Sequence, residues 1–264
     1  MAQKLLLSLL LVLFSAGSAQ AISEELVEDI YIKYGVTVVI FSDYTDKNYE
    51  WLFAINKAID LLSGSSEILE KTIRNDGKAL KFFLTEDPGD WGSGSYDAEE
   101  HSITINTTPK LVDFFGGGHM GENGFLRATK LYVVMHELGH AYDFSNGRKP
   151  AMSLYSSLIR RDVNIKEKNG IWNFTEYLLE MPPTKYPFLF CDDNFNLTED
   201  FADSFVLYIL WPSVLKHNFT KRYAFLKNIF RKEFRDSGIM QSALKARLFK
   251  KNEEIKCIYR GSLE

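Results

Sequence analysis

The sequence predicts one α+β domain, on three observations. Segments with strand character fall within the first 106 residues of a 264-residue chain, and two apolar helical segments, Leu131–Asp143 and Asn196–Trp211, come after them. The composition, 45% hydrophobic and 25% charged, is that of a globular protein, and the length suffices for a sizeable core. The strand segments are few and short, so the sheet is expected to be small.

The chain opens on Lys4, an apolar run from Leu5 to Phe14 and the small-residue site Ala19-Gln-Ala21. That order predicts a signal peptide over 1–21, with the domain over 22–264, and so an exported protein, secreted or periplasmic. No later stretch is apolar and long enough to span a membrane. Residues 23–34 have a mixed pattern. Gly35–Phe41 is β-branched and predicts a buried strand. Asn48–Leu62 places Trp51, Leu52, Ile55, Ile59 and Leu62 on one broad helical face, and a short helix is expected over Glu67–Ile73. Ala79–Leu84 is a second strand. Asp87–Ser95, rich in Gly and Pro, predicts a loop, and Ser102–Asn106 alternates as a half-buried strand does. Gly116–Gly124 holds five glycines in nine residues and predicts a flexible loop.

Leu131–Asp143 reads as a buried helix, because five apolar residues precede His136. Helical pieces are expected near Ser153–Arg161 and Thr175–Leu179. A further helix runs over Asn196–Trp211 and stops at Pro212. Beyond it, from about 213 to 264, lies a basic part. Lys216–Arg260 holds thirteen Lys and Arg against four Asp and Glu, although the whole chain carries a net charge of −4. Its basic residues interleave with Phe219, Tyr223, Leu226 and Phe230 at helical spacing. That predicts amphipathic helices packed on an acidic body, with no nucleic-acid partner. Cys191 and Cys257 have one possible pairing, which would fasten this tail in an oxidising compartment.

The chemistry centres on His136-Glu137-Leu-Gly-His140. On a helix, residues four apart share a face, so His136 and His140 can grip one metal ion. Glu137, about a third of a turn away, reaches a water on that metal without being a ligand. Two histidines and a glutamate in an apolar helix are costly without a compensating partner, and zinc is the expected one. A catalytic zinc takes three protein ligands and keeps a position open. Glu199 and Asp203, four apart on an otherwise apolar helix, supply the simplest completion. In that scheme Glu199 is on the metal and Asp203 is hydrogen-bonded to the outer nitrogen of a ligand histidine. Asp143, three residues beyond His140, is the rival third ligand and another candidate for such support.

His-Glu-Leu-Gly-His-Ala-Tyr-Asp over 136–143, followed by Glu-Asp-Phe-Ala-Asp-Ser-Phe over 199–205, resembles the anthrax lethal factor-like zinc endopeptidases. These are gluzincins, zincins whose third ligand is a glutamate. The resemblance implies a zincin-like catalytic domain, in which a small sheet sets an edge strand beside the cleft and a second helix carries a ligand. It implies His136, His140 and Glu199 as ligands of one zinc ion and Glu137 as general base. Asp203 stands where the group has a second Glu. Gly94–Asp97 leading into Ser102–Asn106 is similar to the group's edge strand, so an extended protein or peptide substrate is expected beside Ser102–Asn106. The sequence departs from the group in one respect: where a tyrosine precedes the ligand Glu, position 192 is Asp. Tyr186 and Tyr208 are the candidates to stabilise the oxyanion. The expected activity is peptide-bond hydrolysis by a zinc-bound water that Glu137 activates. The alternative is an exported, non-catalytic zinc protein, an effector or binding protein on the same scaffold.

Overall fold

The computed structural model describes residues 23–41, 46–86, 94–107, 122–145, 167–168, 171–172 and 197–237. The expected signal peptide, Cys191, Cys257, Tyr186, Asp192, the helical pieces near 153–161 and 175–179, and the tail beyond 237 lie outside these residues.

Helix α1 covers residues 23–34. Its mixed pattern hides a usable face: Leu26, Val27, Ile30 and Tyr34 recur at helical spacing and pack on the core. Strand β1 follows (Thr37–Ile40), then α2 (Asp46–Ser63) and α3 (Ser66–Ile73). The expected strand Ala79–Leu84 divides in two. A tight hairpin, β2 (Arg74–Asn75) and β3 (Lys78–Ala79), turns on Asp76 and Gly77, both at positive φ, and β4 (Lys81–Thr85) begins after Leu80. Strands β5 (Gly94–Asp97) and β6 (Ser102–Asn106) complete a four-stranded sheet of order β1-β4-β6-β5. β1, β4 and β6 run parallel, and β5 pairs antiparallel with β6. Asp97 shapes the turn between β5 and β6, because its carboxylate accepts the backbone N–H groups of Glu99 and Glu100. With helices grouped beside a small mixed sheet, the class is α+β, as expected.

Two expectations about this sheet are corrected. Ser102–Asn106 is not an edge: both its sides are paired, with β4 on one and β5 on the other. The edge on the helix side is β5, and Gly94 and Ser95 belong to it rather than to a loop.

Helix α4 (Glu122–Ser145) is the centre of the domain and packs against α2, α3 and β5. It begins at Glu122, so the last three residues of the expected Gly-rich loop are helical. Residues 131–143 are buried without a break, which is why this helix is apolar all round rather than along one stripe. A short hairpin, β7 (Glu167–Lys168) with β8 (Ile171–Trp172), precedes α5 (Leu197–Leu210). From Asp200 onward α5 is buried too, and it crosses α4. The crossing is close because Gly139 has no side chain. A Cβ there would lie 3.0 Å from the Cα of Ala202 and 3.3 Å from the Cβ of Phe205.

Pro212 both ends α5 and starts α6 (Pro212–Asn218), at a first-turn position that needs no N–H donor. Helix α7 (Thr220–Phe230) follows and closes on Arg231 in the left-handed region. Within the described residues the basic part therefore forms two short helices packed on the body. Arg222 is buried and makes a two-pronged ion pair with Asp200 of α5, at 3.1 Å on each arm. Among the described residues no helix is long and apolar enough to cross a membrane.

Candidate metal centre

The crossing of α4 and α5 brings together side chains 59 to 67 positions apart in sequence. His136 and His140 sit one turn apart on α4 with their Nε2 atoms 3.1 Å from each other. Glu199, in the first turn of α5, reaches both: Oε2 is 2.9 Å from His136 Nε2, and Oε1 is 3.4 Å from His140 Nε2. Among the described residues these three are the group able to hold a metal ion. The histidine side chains are about 10% exposed and that of Glu199 is 37% exposed, so the cluster opens to solvent on the Glu199 side.

The donor set fits a tetrahedral metal. Zinc bonds of about 2.0–2.1 Å put neighbouring donors of a tetrahedron about 3.3 Å apart, close to the three separations here. The contacts around His136 call for positive charge on or beside its ring. His136 Nδ1 lies 2.9 Å from Asp203 Oδ1, and that carboxylate can only accept. If the imidazole is neutral, its Nε2 then carries a lone pair aimed at the Glu199 carboxylate, and two acceptors meet at 2.9 Å. A proton on Nε2 or a bound cation relieves that contact.

The electrostatics agree. Burial opposes charge on His136, but hydrogen bonds and charges from Asp203, Glu199 and Glu137 outweigh it, and its pKa rises well above the ordinary value. Burial also opposes charge on Glu199, but its two histidine partners hold the carboxyl well below the usual range. A ligand pair that attracts a proton this strongly offers the same attraction to a metal ion.

Each candidate among the described residues has a definite place. Glu137 is 5% exposed and stands beside the cluster without belonging to it. Burial first, then the charges of Glu199 and Asp203, push its pKa up against the pull of the two histidines. Asp203, buried, takes the supporting position on His136. Asp143 is buried on α4 but is not in the donor group, where Glu199 stands instead. Tyr208 is not an oxyanion donor: its hydroxyl donates to the backbone carbonyl of Lys232, and its ring packs on Tyr223, Phe230 and Phe234.

The sequence reading missed Tyr132. Its hydroxyl donates to Asp203 Oδ1, the same oxygen that His136 Nδ1 faces, and its ring stacks near the His136 ring, centroids 6.2 Å apart. The signal was present, because Tyr132 precedes His136 by four residues, the spacing that separates His136 from His140. Arg222 was missed as well. By neutralising Asp200 it secures the first turn of α5, from which Glu199 projects.

Fold and site together define a class: an α+β protein in which two crossed, buried helices assemble a His-His-Glu cluster with a buried glutamate beside it. Comparison with known proteins takes this no further, since no family model matches the chain and no curated protein matches it by sequence.

Proposed function

We propose that the protein is an exported zinc-dependent endopeptidase with a zincin-like fold, of the lethal factor-like kind in which a glutamate is the third ligand. The observation that carries this reading is the His136–His140–Glu199 triangle, open on one side, with a buried carboxylate held next to it but not in it. A purely structural zinc site has four protein ligands and no use for a base.

His136, His140 and Glu199 would hold the metal. When bound, zinc supplies a Lewis acid that acidifies water and polarises the scissile carbonyl. Glu137 takes the proton of the attacking water and passes it to the leaving amine, a contribution of about 10²–10⁴-fold. Its raised pKa suits a group that must hold that proton between the two transfers. Asp203 keeps the His136 ring turned so that Nε2 faces Glu199. The substrate backbone extends along β5, whose outer side has no strand partner among the described residues, rather than along Ser102–Asn106.

The test measures bound zinc and cleavage of a peptide library for the wild type, Glu137→Ala and Glu199→Ala. Glu137→Ala should keep one zinc and lose at least about a hundredfold in turnover. Glu199→Ala should lose the metal. Zinc retained by Glu199→Ala would refute the ligand set. A zinc-loaded wild type that cleaves nothing would leave the non-catalytic zinc protein as the reading.

A further inference from the structure

We infer that Gly94 is a positioning residue for Glu137, and that the edge strand β5 is the wall against which the base is held; the catalytic part of this inference rests on the activity proposed above. Along β5, Gly94 and Tyr96 are partly buried, and Ser95 and Asp97 alternate with them as exposed residues. The strand packs on α4, and Gly94 lies directly against the Glu137 side chain. A Cβ at Gly94 would lie 2.7 Å from Glu137 Oε1, 3.0 Å from its Cγ and 3.1 Å from its Cδ. The first separation is shorter than real Cβ contacts allow.

Neither backbone conformation nor strand pairing calls for a glycine at this position. Gly94 is not among the residues with positive φ, so the backbone does not demand it. A glycine inside a strand weakens the strand, so pairing with β6 does not favour it either. What remains is space for the carboxylate. The obstructing atoms all belong to the Glu137 side chain and none to its backbone, so a methyl group at 94 would displace Glu137 rather than break β5. The residue that sets the position of the base therefore lies on the strand whose outer edge has no strand partner among the described residues. The base and the docking edge are held in one piece.

The experiment is a double-mutant cycle of Gly94→Ala and Glu137→Ala on the full chain, read in three ways. Zinc affinity of Gly94→Ala should stay within about twofold of wild type, since neither residue is a ligand. Its kcat should fall at least about tenfold, within the 10²–10⁴-fold available from a general base, with KM little changed. In the Glu137→Ala background the same substitution should cost no further turnover. The third readout, the melting temperature of the metal-free proteins, needs no substrate. At a compatible backbone position Gly→Ala ordinarily stabilises through the unfolded chain. Gly94→Ala should therefore raise Tm in the Glu137→Ala background and fail to raise it when Glu137 is present. Additive Tm shifts overturn the inference whatever turnover does, and so does full kcat in Gly94→Ala. If the wild type hydrolyses nothing, the proposed activity falls, and the Tm cycle alone decides whether Gly94 positions Glu137.

Discussion

Asp203→Ala is the most informative single perturbation of the ligand set, because Asp203 touches the cluster only through His136. The carboxylate is buried, and its Oδ1 accepts from the hydroxyl of Tyr132 while facing His136 Nδ1 at 2.9 Å. Removing it leaves the ligand atoms in place but releases the ring orientation and lowers the basicity of Nε2. Loss of such a partner weakens metal binding about 10–100-fold, or about 1.4–2.7 kcal/mol. The same substitution leaves the Tyr132 hydroxyl buried without its acceptor, which costs the fold about 1–3 kcal/mol. The two effects separate in Tyr132→Phe, which keeps the His136–Asp203 contact. That variant should lose less than about tenfold in zinc affinity. The double variant should recover part of the stability lost in Asp203→Ala, since no orphan hydroxyl remains. Zinc affinity is read by competition with a chromogenic chelator, and stability by urea unfolding of the metal-free protein. A zinc Kd for Asp203→Ala within twofold of wild type would refute the supporting role, because the ring would then be held by packing alone.

Two further outcomes are expected away from the cluster. Arg222→Ala should destabilise the protein by more than about 1 kcal/mol in urea unfolding, because it removes the two-pronged ion pair from the buried Asp200 carboxylate; a smaller loss would refute a structural role for the pair. His101 is fully buried in the turn between β5 and β6, with Nδ1 2.8 Å from the Tyr96 hydroxyl. Burial lowers its pKa from the ordinary 6.5, helped by the charge of Lys78 and opposed by the Ile73 backbone. The unfolded chain then binds more protons than the folded one below about pH 7, so this group's contribution to stability is lost as pH falls through 6.5. His101→Asn, which tolerates the positive φ there, should flatten the rise in urea midpoint between about pH 5 and pH 7, and an unchanged slope would refute the assignment.

How much of this was legible before the structure depended on which physical signal carried each feature. Burial periodicity is local, and it served well: α2, α3 and β6 lie within two residues of the expected spans. Pairing partners are not local. Ser102–Asn106 alternates because the two faces of β6 differ in burial, yet the same alternation occurs in an edge strand and in an interior one, so the pattern could not say which side was free. The actual edge, β5, reads as the end of a loop and the lead-in to Ser102–Asn106 because it is short, begins with glycine and is polar on its exposed positions. Those are the properties of a strand that runs past a site instead of filling a core. Glu199 and Asp203 were legible because two carboxylates on an apolar helix require partners.

That α5 would meet α4 at the right height was not legible from either helix's polar residues, but the small residues bear on it. A ligand triangle with sides of 2.9–3.4 Å needs helix backbones in near contact, and long side chains at the crossing would hold them apart. The crossing falls at Gly139, between His136 and His140, and at Ala202, one residue before Asp203. Gly139→Ala would add a Cβ 3.0 Å from the Cα of Ala202, an atom of the backbone that cannot rotate away. The relief available is a shift of α5, and Glu199 and Asp203 ride on that helix. Gly139 and Ala202 therefore belong to the candidate metal centre as much as the polar side chains do. In a sequence, a glycine between paired histidines and an alanine beside a helical acid pair are the features that mark two such segments as neighbours.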